Sequence, residues 1–387
     1  MLMLMLLIGL IAFLVFGTSA LYIGAVVILH YFFYKKNTHK QTIPDKVVVV
    51  TGGTAGIGKQ TVYEMTRSLA TVVFTGRNVD AAREIVEGIK NQISKMNDAE
   101  SAEYLVQLDQ GEWNGDSFNS KVLYFRRVDM SSLRECFDFT DWFKDKFTQL
   151  DILVNNAGLA VSKKMTTAQG YEMTMGVNHV ATVAITQELL PLIEATPQSR
   201  VLLVSSIVHR GAIPFISYFR TMIPEGEDIT NTNAKFSGFP QYCLSKLANG
   251  CYAIYLSKYF EKKGVEAKAA YLHPGVIYSS FTRDQNFIMK ILTFLIAPLM
   301  RTETEGAQTQ IFLSKCPYDE LISGEYYSNC KVNKTHNPEL DNWQKVMTFI
   351  DKTFELIKKD KDRIEKGLDT QGDSQDDEEQ EGLRERR

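Results

Sequence analysis

The chain is short of cysteine, and what it has is scattered. Cys136, Cys243, Cys251, Cys316 and Cys330 form no CxxC pair in 387 residues. That excludes a disulfide scaffold, and the five read as reduced thiols facing a cytosol. An excess of one charge is also missing: 43 basic residues stand against 46 acidic ones, a formal net charge of −3. Nothing in that balance supports general binding to nucleic acid. No internal repeat of solenoid period is present. His179 and His273 belong to no metal-ligand spacing, so no metal site is expected. Ser206 and His209 lie close in sequence, but no GxSxG elbow surrounds either serine of the Ser205-Ser206 pair, which excludes a hydrolase dyad. With 44% hydrophobic and 23% charged residues, a wholly disordered or collagen-like chain is excluded as well.

Two regions break the average. Residues 1–34 contain no acid, lysine or arginine, whereas 369–387 carry eight acids and three arginines. A bilayer core needs about 20 apolar residues as helix, and 1–34 exceed that, so this stretch is expected to be an uncleaved N-terminal transmembrane helix. Gly17-Thr18-Ser19-Ala20 resembles a signal-peptide cleavage site, but no basic residue precedes the apolar run and the run continues past Ala20. A hairpin turning near Gly17 is the other open reading. Lys35, Lys36, Lys40 and Lys46 follow the run, and positive residues stay cytoplasmic. The body is therefore expected to face the cytosol, with the aromatic residues 31–34 (YFFY) at the interface. Residues 35–45 read as a linker, and 356–387 as a charged tail, disordered from 369.

From Lys46 onward strand-like and helix-like segments alternate. Residues 46–51 (KVVVVT) are a continuous β-branched run, as in a strand buried on both faces. Further strands are expected at 71–75, 122–127, 152–155, 201–205 and 267–272, with helices at 79–95 and 131–147 and between the other strands. Residues 96–120 are polar, acidic and irregular, and read as an inserted loop. Alternation of this kind implies βαβ units and a doubly wound parallel sheet with helices on both faces.

Thr51-Gly52-Gly53-Thr54-Ala55-Gly56-Ile57-Gly58 falls between the first strand and the first helix. Glycine lets a backbone turn tightly there and approach a pyrophosphate, and the following helix aims free N–H groups at the phosphates. A dinucleotide site is expected, although the spacing is GxxxGxG rather than GxGxxG. An NAD site places an acid at the end of the second strand for the ribose 2′-hydroxyl. This chain has Gly76-Arg77-Asn78 instead. A guanidinium at Arg77 would pair with a 2′-phosphate, with Lys59 adding charge nearby, so NADP(H) is favoured.

Tyr242 and Lys246 stand four residues apart in a helical segment beginning near Phe239, which puts both on one face. An ammonium beside a phenol favours the phenolate and is expected to lower the tyrosine's pKa from about 10 toward neutrality. Ser205-Ser206 end the fifth strand at the ligand-binding edge of such a sheet. Asn178 lies on the preceding long helix.

Together the glycine turn at 51–58, NNAG (155–158), the Ser-Tyr-Lys set and HPG (273–275) resemble the short-chain dehydrogenase/reductase superfamily. GVNH (176–179), the 204–215 segment, YCLSKLAN (242–249), EGAQT (305–309) and SGEYYSNC (323–330) look like its membrane-anchored, retinol dehydrogenase-like subgroup, and the resemblance spans about 46–354. It implies a Rossmann-type domain over 46–355. It implies Tyr242 as general acid/base, Lys246 as its activator and ribose ligand, Ser206 on the substrate oxygen, and Asn178 completing a proton relay. Gly52, Thr54, Ala55, Gly56, Ile57 and Gly58 would line the pyrophosphate, and Asp129 the adenine edge. Asn155, Ala157 and Gly158 would back the coenzyme, and Pro274, Gly275 and Ser279 its nicotinamide end.

Three features depart from the subgroup. Val180-Ala181-Thr182 replace a Leu-Gly-His run, 96–120 are inserted, and 36 positions separate Ser206 from Tyr242, with the extra length placed within 218–236. They bear on the substrate rather than the chemistry. Residues 287–300 are nearly all apolar but too short to span a bilayer. They read equally as a core helix or as a lid dipping into the membrane.

The expected activity is reduction or oxidation of a carbonyl or alcohol on a lipophilic substrate, retinal/retinol-like by resemblance. Other lipophilic carbonyls (sterol, polyprenol, lipid aldehyde) fit the same residues. A catalytically idle NADP(H)-sensing scaffold is the competing class. Membrane lipid is an expected partner, nucleic acid is not, and a homodimer is open. The endoplasmic reticulum membrane is the expected location, with lipid droplet or mitochondrial membrane as alternatives. Deleting 369–387 is expected to leave turnover unchanged within a factor of about two, as for a solvated tether; initial rates of the full and shortened chains check this.

Overall fold

The computed structural model describes residue 17 and residues 41–96, 98–210, 238–277 and 300–368. The expected anchor at 1–34 (apart from Gly17), the 218–236 segment, 287–299, Ser279 and the tail from 369 lie outside the described residues. Among the described residues, no helix is long and apolar enough to cross a membrane.

The six expected strands all form. They are β1 (Val47–Val50), β2 (Thr71–Gly76), β5 (Leu123–Arg127), β6 (Ile152–Asn155), β7 (Ser199–Val204) and β8 (Ala267–His273). With β3 (Glu112–Asn114), β4 (Ser117–Asn119), β9 (Tyr326–Ser328) and β10 (Lys331–Val332) they make one ten-stranded sheet in the order β10-β9-β8-β7-β6-β1-β2-β5-β4-β3. Its centre, from β9 to β5, is parallel, while β3, β4 and β10 pair antiparallel at the edges. The sheet is thus mixed rather than wholly parallel.

Eight α-helices of more than three residues flank it among the described residues: α1 (Gly56–Arg67), α2 (Val79–Ile93), α3 (Ala99–Asp109), α4 (Leu133–Lys146), α5 (Ala181–Ala195), α6 (Gly238–Lys263), α7 (Glu303–Lys315) and α8 (Trp343–Glu365). The period-2 geometry of a strand sorts side chains between the faces. Val47 and Val49 enter a core with α4, α5, α6 and α8, while Val48 and Val50 enter a second core with α1, α2, α3 and α7. Local polar chemistry starts the helices. Asn78 accepts from Ala81 N–H, Ser132 from Glu135 N–H, and Thr302 and Glu305 form a full capping box.

The inserted segment is not a loop. Asp98 caps α3, whose Tyr104 and Leu108 are buried, and β3 and β4 form a hairpin turning at Gly115 (φ +55°). Trp113 packs on Phe118 at 5.3 Å and Phe125 at 6.0 Å, and the Arg83 guanidinium lies 4.1 Å over its ring. The polar composition that signals a loop belongs here to a short, charged edge strand. At the other end, α8 runs to Glu365, ten residues past the expected boundary. Its buried stripe (Val346, Phe349, Ile350, Thr353, Ile357, Asp360, Ile364) has helical spacing.

Among the described residues three imidazoles are buried: His179, His209 and His273. Loss of solvent holds the first two down to about 4 and the third to about 3. The unfolded chain takes up these protons as pH falls through about 6.5, while the folded chain refuses them until about 4. Stability present above pH 6.5 is therefore expected to decline toward pH 4, by up to about 1.4 kcal/mol per pH unit for each histidine. Urea unfolding at pH 7.5, 6 and 5 checks the sign and the slope.

Candidate active site

From β1 the chain runs outward through β2 to β5 and then returns to β6 on the other flank of β1. The loops after β1 and β6 part at this reversal, opening a crevice at the carboxyl ends of the strands. Asn156 ties its two sides together. Its Nδ2 donates to Thr51 O (2.9 Å) and Gly52 O (3.1 Å), while Thr51 Oγ1 accepts from Asn156 N (3.0 Å) and Ala157 N (3.1 Å).

Of the turn's four glycines only Gly56 has room for a side chain. A Cβ on Gly58 would collide with Gly52 O and Asn156 Nδ2, and one on Gly52 (φ +65°) would sit 2.9 Å from Ala157 Cα. A Cβ on Gly56 (φ +58°) would meet nothing within 4 Å. Ala55, the N-cap of α1, caps nothing with its side chain, and the first turn holds no acid. The first N–H groups of α1 are thus left without a side-chain cap beside open space, which suits a phosphate. Thr54 packs against Gly76, and Ile57 O accepts from Gln310 Nε2 at 3.2 Å.

At the far end of the crevice Arg77 and Asp129 come together, with Nη1 3.8 Å from Oδ2. The other Asp129 oxygen accepts from Ser131 N–H (2.9 Å) and O–H (2.8 Å). Arg77 is 65% exposed, so this ion pair holds it only weakly. The residues present fit a dinucleotide: an uncapped helix start, an open glycine and a weakly held guanidinium stand along one crevice.

The two serines after β7 separate in role. Ser205 Oγ donates to Lys246 O at 2.6 Å, whereas the Ser206 side chain hydrogen-bonds Tyr242. Lys246, on α6 with Tyr242, donates from Nζ to Val204 O at 2.9 Å and lies 5.5 Å from the Tyr242 ring centroid. Lys246 is buried and Tyr242 half-buried, and loss of solvent shifts both. Loss of solvent pushes Tyr242 up to about 12, against the pull of the Ser206 hydrogen bond, and drops Lys246 to about 8. The shift is upward rather than the expected lowering, with desolvation its largest cause and the Ser206 hydrogen bond opposing it.

Asn178 lies in a π-helical turn, Gly176–Val180, rather than a regular helix. Its Oδ1 accepts from Leu159 N (2.7 Å), and its Nδ2 donates to Leu159 O (2.8 Å) and Ser245 Oγ (3.0 Å). The side chain therefore locks the loop after β6 to α6. Gly158 is the meeting point: a Cβ there would stand 3.2 Å from Lys246 Nζ and 3.3 Å from Asn178 Oδ1. Asn155 points the other way, donating to Thr186 Oγ1 on α5 at 3.0 Å. His209 meets the main-chain oxygen of Ser206, not its hydroxyl. Pro274 and Gly275 (φ +98°) leave β8 under the Arg301 guanidinium, which donates to Pro274 O at 3.0 Å. Gln310 and Arg301 escape motif reading, and the NNAG motif does not show what Asn156 ties together, because each acts on segments distant in sequence.

The profile of the short chain dehydrogenase family matches residues 46–110 and 111–219. Human retinol dehydrogenase 12 is 33% identical over 290 residues, 75% of this chain and 79% of that one. Human retinol dehydrogenase 11 is 30% identical over 291 residues, 75% and 79%. The chain is a short-chain dehydrogenase/reductase of the retinol dehydrogenase-like subgroup. Solved structures share the fold of this dehydrogenase/reductase. An uncharacterized protein from Mycobacterium paratuberculosis superposes with TM-score 0.60 at 20% identity, covering 84% of this chain and 98% of that one. The Pseudomonas aeruginosa RhlG/NADP active-site complex gives 0.51 at 18%, covering 74% and 94%. A fold of this kind takes a nicotinamide coenzyme, and the crevice of this dehydrogenase/reductase has the groups to hold one.

Two glycine substitutions should separate folding from binding. Gly58→Ala is expected to destabilise the protein, since the methyl meets backbone. Gly56→Ala is expected to cost only about 1–2 kcal/mol of left-handed strain while its methyl enters the crevice and weakens coenzyme binding. Thermal unfolding and coenzyme titration distinguish the two.

Proposed function

We propose that this protein transfers hydride between NADP(H) and the carbonyl or alcohol carbon of a lipophilic substrate of the retinal/retinol kind, with Tyr242 as general acid/base. The observation that carries the reading is the set Ser206–Tyr242–Lys246, which α6 and the end of β7 bring together beside the crevice. The names of the relatives support the retinoid class. The absence of an acid at Gly76-Arg77-Asn78, together with the weakly held Arg77, supports NADP(H).

The bound coenzyme supplies or accepts the hydride. Tyr242, held protonated at neutral pH by burial, donates its phenolic proton to the substrate oxygen during reduction. Ser206 hydrogen-bonds that oxygen and then the phenolate. Lys246 is an ammonium below about pH 8 and stabilises the phenolate as it forms. Alcohol oxidation runs the same proton in reverse and needs Tyr242 deprotonated, so the site favours reduction near neutrality. Arg77 would hold the 2′-phosphate, and the uncapped start of α1 the pyrophosphate. Residues 1–34, followed by lysines, support a single membrane anchor, in the endoplasmic reticulum on this reading, with lipid droplet or mitochondrial membrane as alternatives, from which a lipophilic substrate would reach the site.

Full-length protein in detergent, given NADPH or NADH with all-trans-retinal, a sterol ketone or a long-chain aldehyde, tests this reading. Retinal reduction with NADPH is expected, falling about 10²–10⁴-fold in Tyr242→Phe with coenzyme binding retained. Reduction should decline above about pH 8, as Lys246 loses its proton. Turnover of another carbonyl alone would discard the retinoid class. NADPH binding with no turnover of any carbonyl would sink the enzyme reading.

A further inference from the structure

Gly275 is covered by a side chain that comes from elsewhere in the chain. Its φ of +98° suits glycine, and a Cβ there would collide with Arg301 Cδ and stand 2.8 Å from its Cζ. Arg301 is bound to this turn twice more. Its N–H donates to Val276 O at 2.8 Å, and its Nη1 to Pro274 O at 3.0 Å. Ile277 and Arg301 also form an isolated parallel bridge. The guanidinium is fixed on its other side, where Nη2 donates to Asn329 Oδ1.

Asn329 is held by local geometry. Ser328 pairs with Lys331, so Asn329 and Cys330 form a two-residue hairpin turn between β9 and β10, both left-handed at φ +54° and +56°. In the β8–β9 register His273 stands opposite Ser328, which brings Asn329 level with Pro274. The hairpin at the sheet's edge therefore presents an acceptor to Arg301, and Arg301 transmits that position to the turn leaving β8.

We propose that Arg301 and Asn329 are positioning residues that fix the Pro274–Gly275 turn as the wall against the nicotinamide end of the coenzyme. The proposal rests on the coenzyme reading above. Neither residue touches the reacting atoms. Their effect is to hold one side of the coenzyme pocket rigid, so loss of either loosens coenzyme placement and leaves the substrate side intact.

Asn329→Gly tests this with little risk to the fold, because glycine accepts the left-handed turn and only the acceptor is lost. The full-length variant should melt within about 4 °C of the native protein. Its KM and Kd for NADPH should rise about five- to ten-fold, as for a displaced pocket wall, while KM for the carbonyl holds within about two-fold. Asn329→Asp, which keeps the acceptor and tolerates the turn, should restore native values. Arg301→Lys keeps the charge but not the two-way fork, so it should resemble Asn329→Gly rather than the native protein. If Asn329→Gly binds NADPH as the native chain does, or if Arg301→Lys is fully native, the proposal falls and the coenzyme reading stands. If the native protein binds neither NADPH nor NADH, both fall together.

Discussion

Strand β1 has no solvent face, and the architecture follows from that constraint. Val48, Val49 and Val50 are wholly buried, and successive residues enter opposite cores. A strand with two apolar faces needs helices on both sides and parallel neighbours reached by crossovers. The chain lays β2 and β5 on one flank and β6, β7 and β8 on the other. At the reversal beside β1 adjacent loops diverge. The glycine turn, Asn156 and Gly158 all stand there. The crevice is a consequence of burying β1 on both faces, and the hydrogen bonds from Asn156 to Thr51 and Gly52 keep its walls at a set separation.

The chemistry of the site is governed by the same burial. Placing Tyr242 and Lys246 one helical turn apart invites the argument that the ammonium acidifies the phenol. In the folded protein Lys246 is buried and Tyr242 half-buried, and each shifts toward its neutral form. Tyr242 becomes a weaker acid and Lys246 a weaker base. A tyrosine that keeps its proton is suited to donating it to a carbonyl oxygen. A lysine that titrates near 8 couples the site to mildly alkaline pH. The Ser206 hydrogen bond pulls Tyr242 the other way, toward the phenolate.

Two described segments extend the sheet and its cores at opposite ends. The α3–β4 segment extends the sheet beyond β5, seals the core with Tyr104, Leu108 and Phe118, and closes the edge with a short charged strand. At the opposite corner α8 packs along α6, and His179 beside Asn178 meets Thr353 of α8 at 3.3 Å. Tyr171 hydrogen-bonds Asp360 of the same helix. The C-terminal helix thus buttresses the π-helical turn that holds Asn178.

Local periodicity and spacing were enough to place the six central strands, the glycine turn, the Tyr242–Lys246 pair and the serines at the end of β7. These are properties of a few consecutive residues, and the physics that selects them is local: β-branched runs, glycine's left-handed conformations and the 3.6-residue helical repeat. Residues 96–120 were misread because an edge hairpin is polar for the same reason a loop is: it faces water. The protonation of Tyr242, the π-helical turn at Asn178 and the roles of Asn156, Gln310 and Arg301 were decided by tertiary structure alone. Desolvation depends on everything packed around a group. A contact such as Arg301 to Asn329 joins segments 28 residues apart, Gln310 to Ile57 segments 253 apart, and no spacing encodes either. Sequence settles which groups the protein carries to its crevice, and packing settles what charge they bear and what holds them in place.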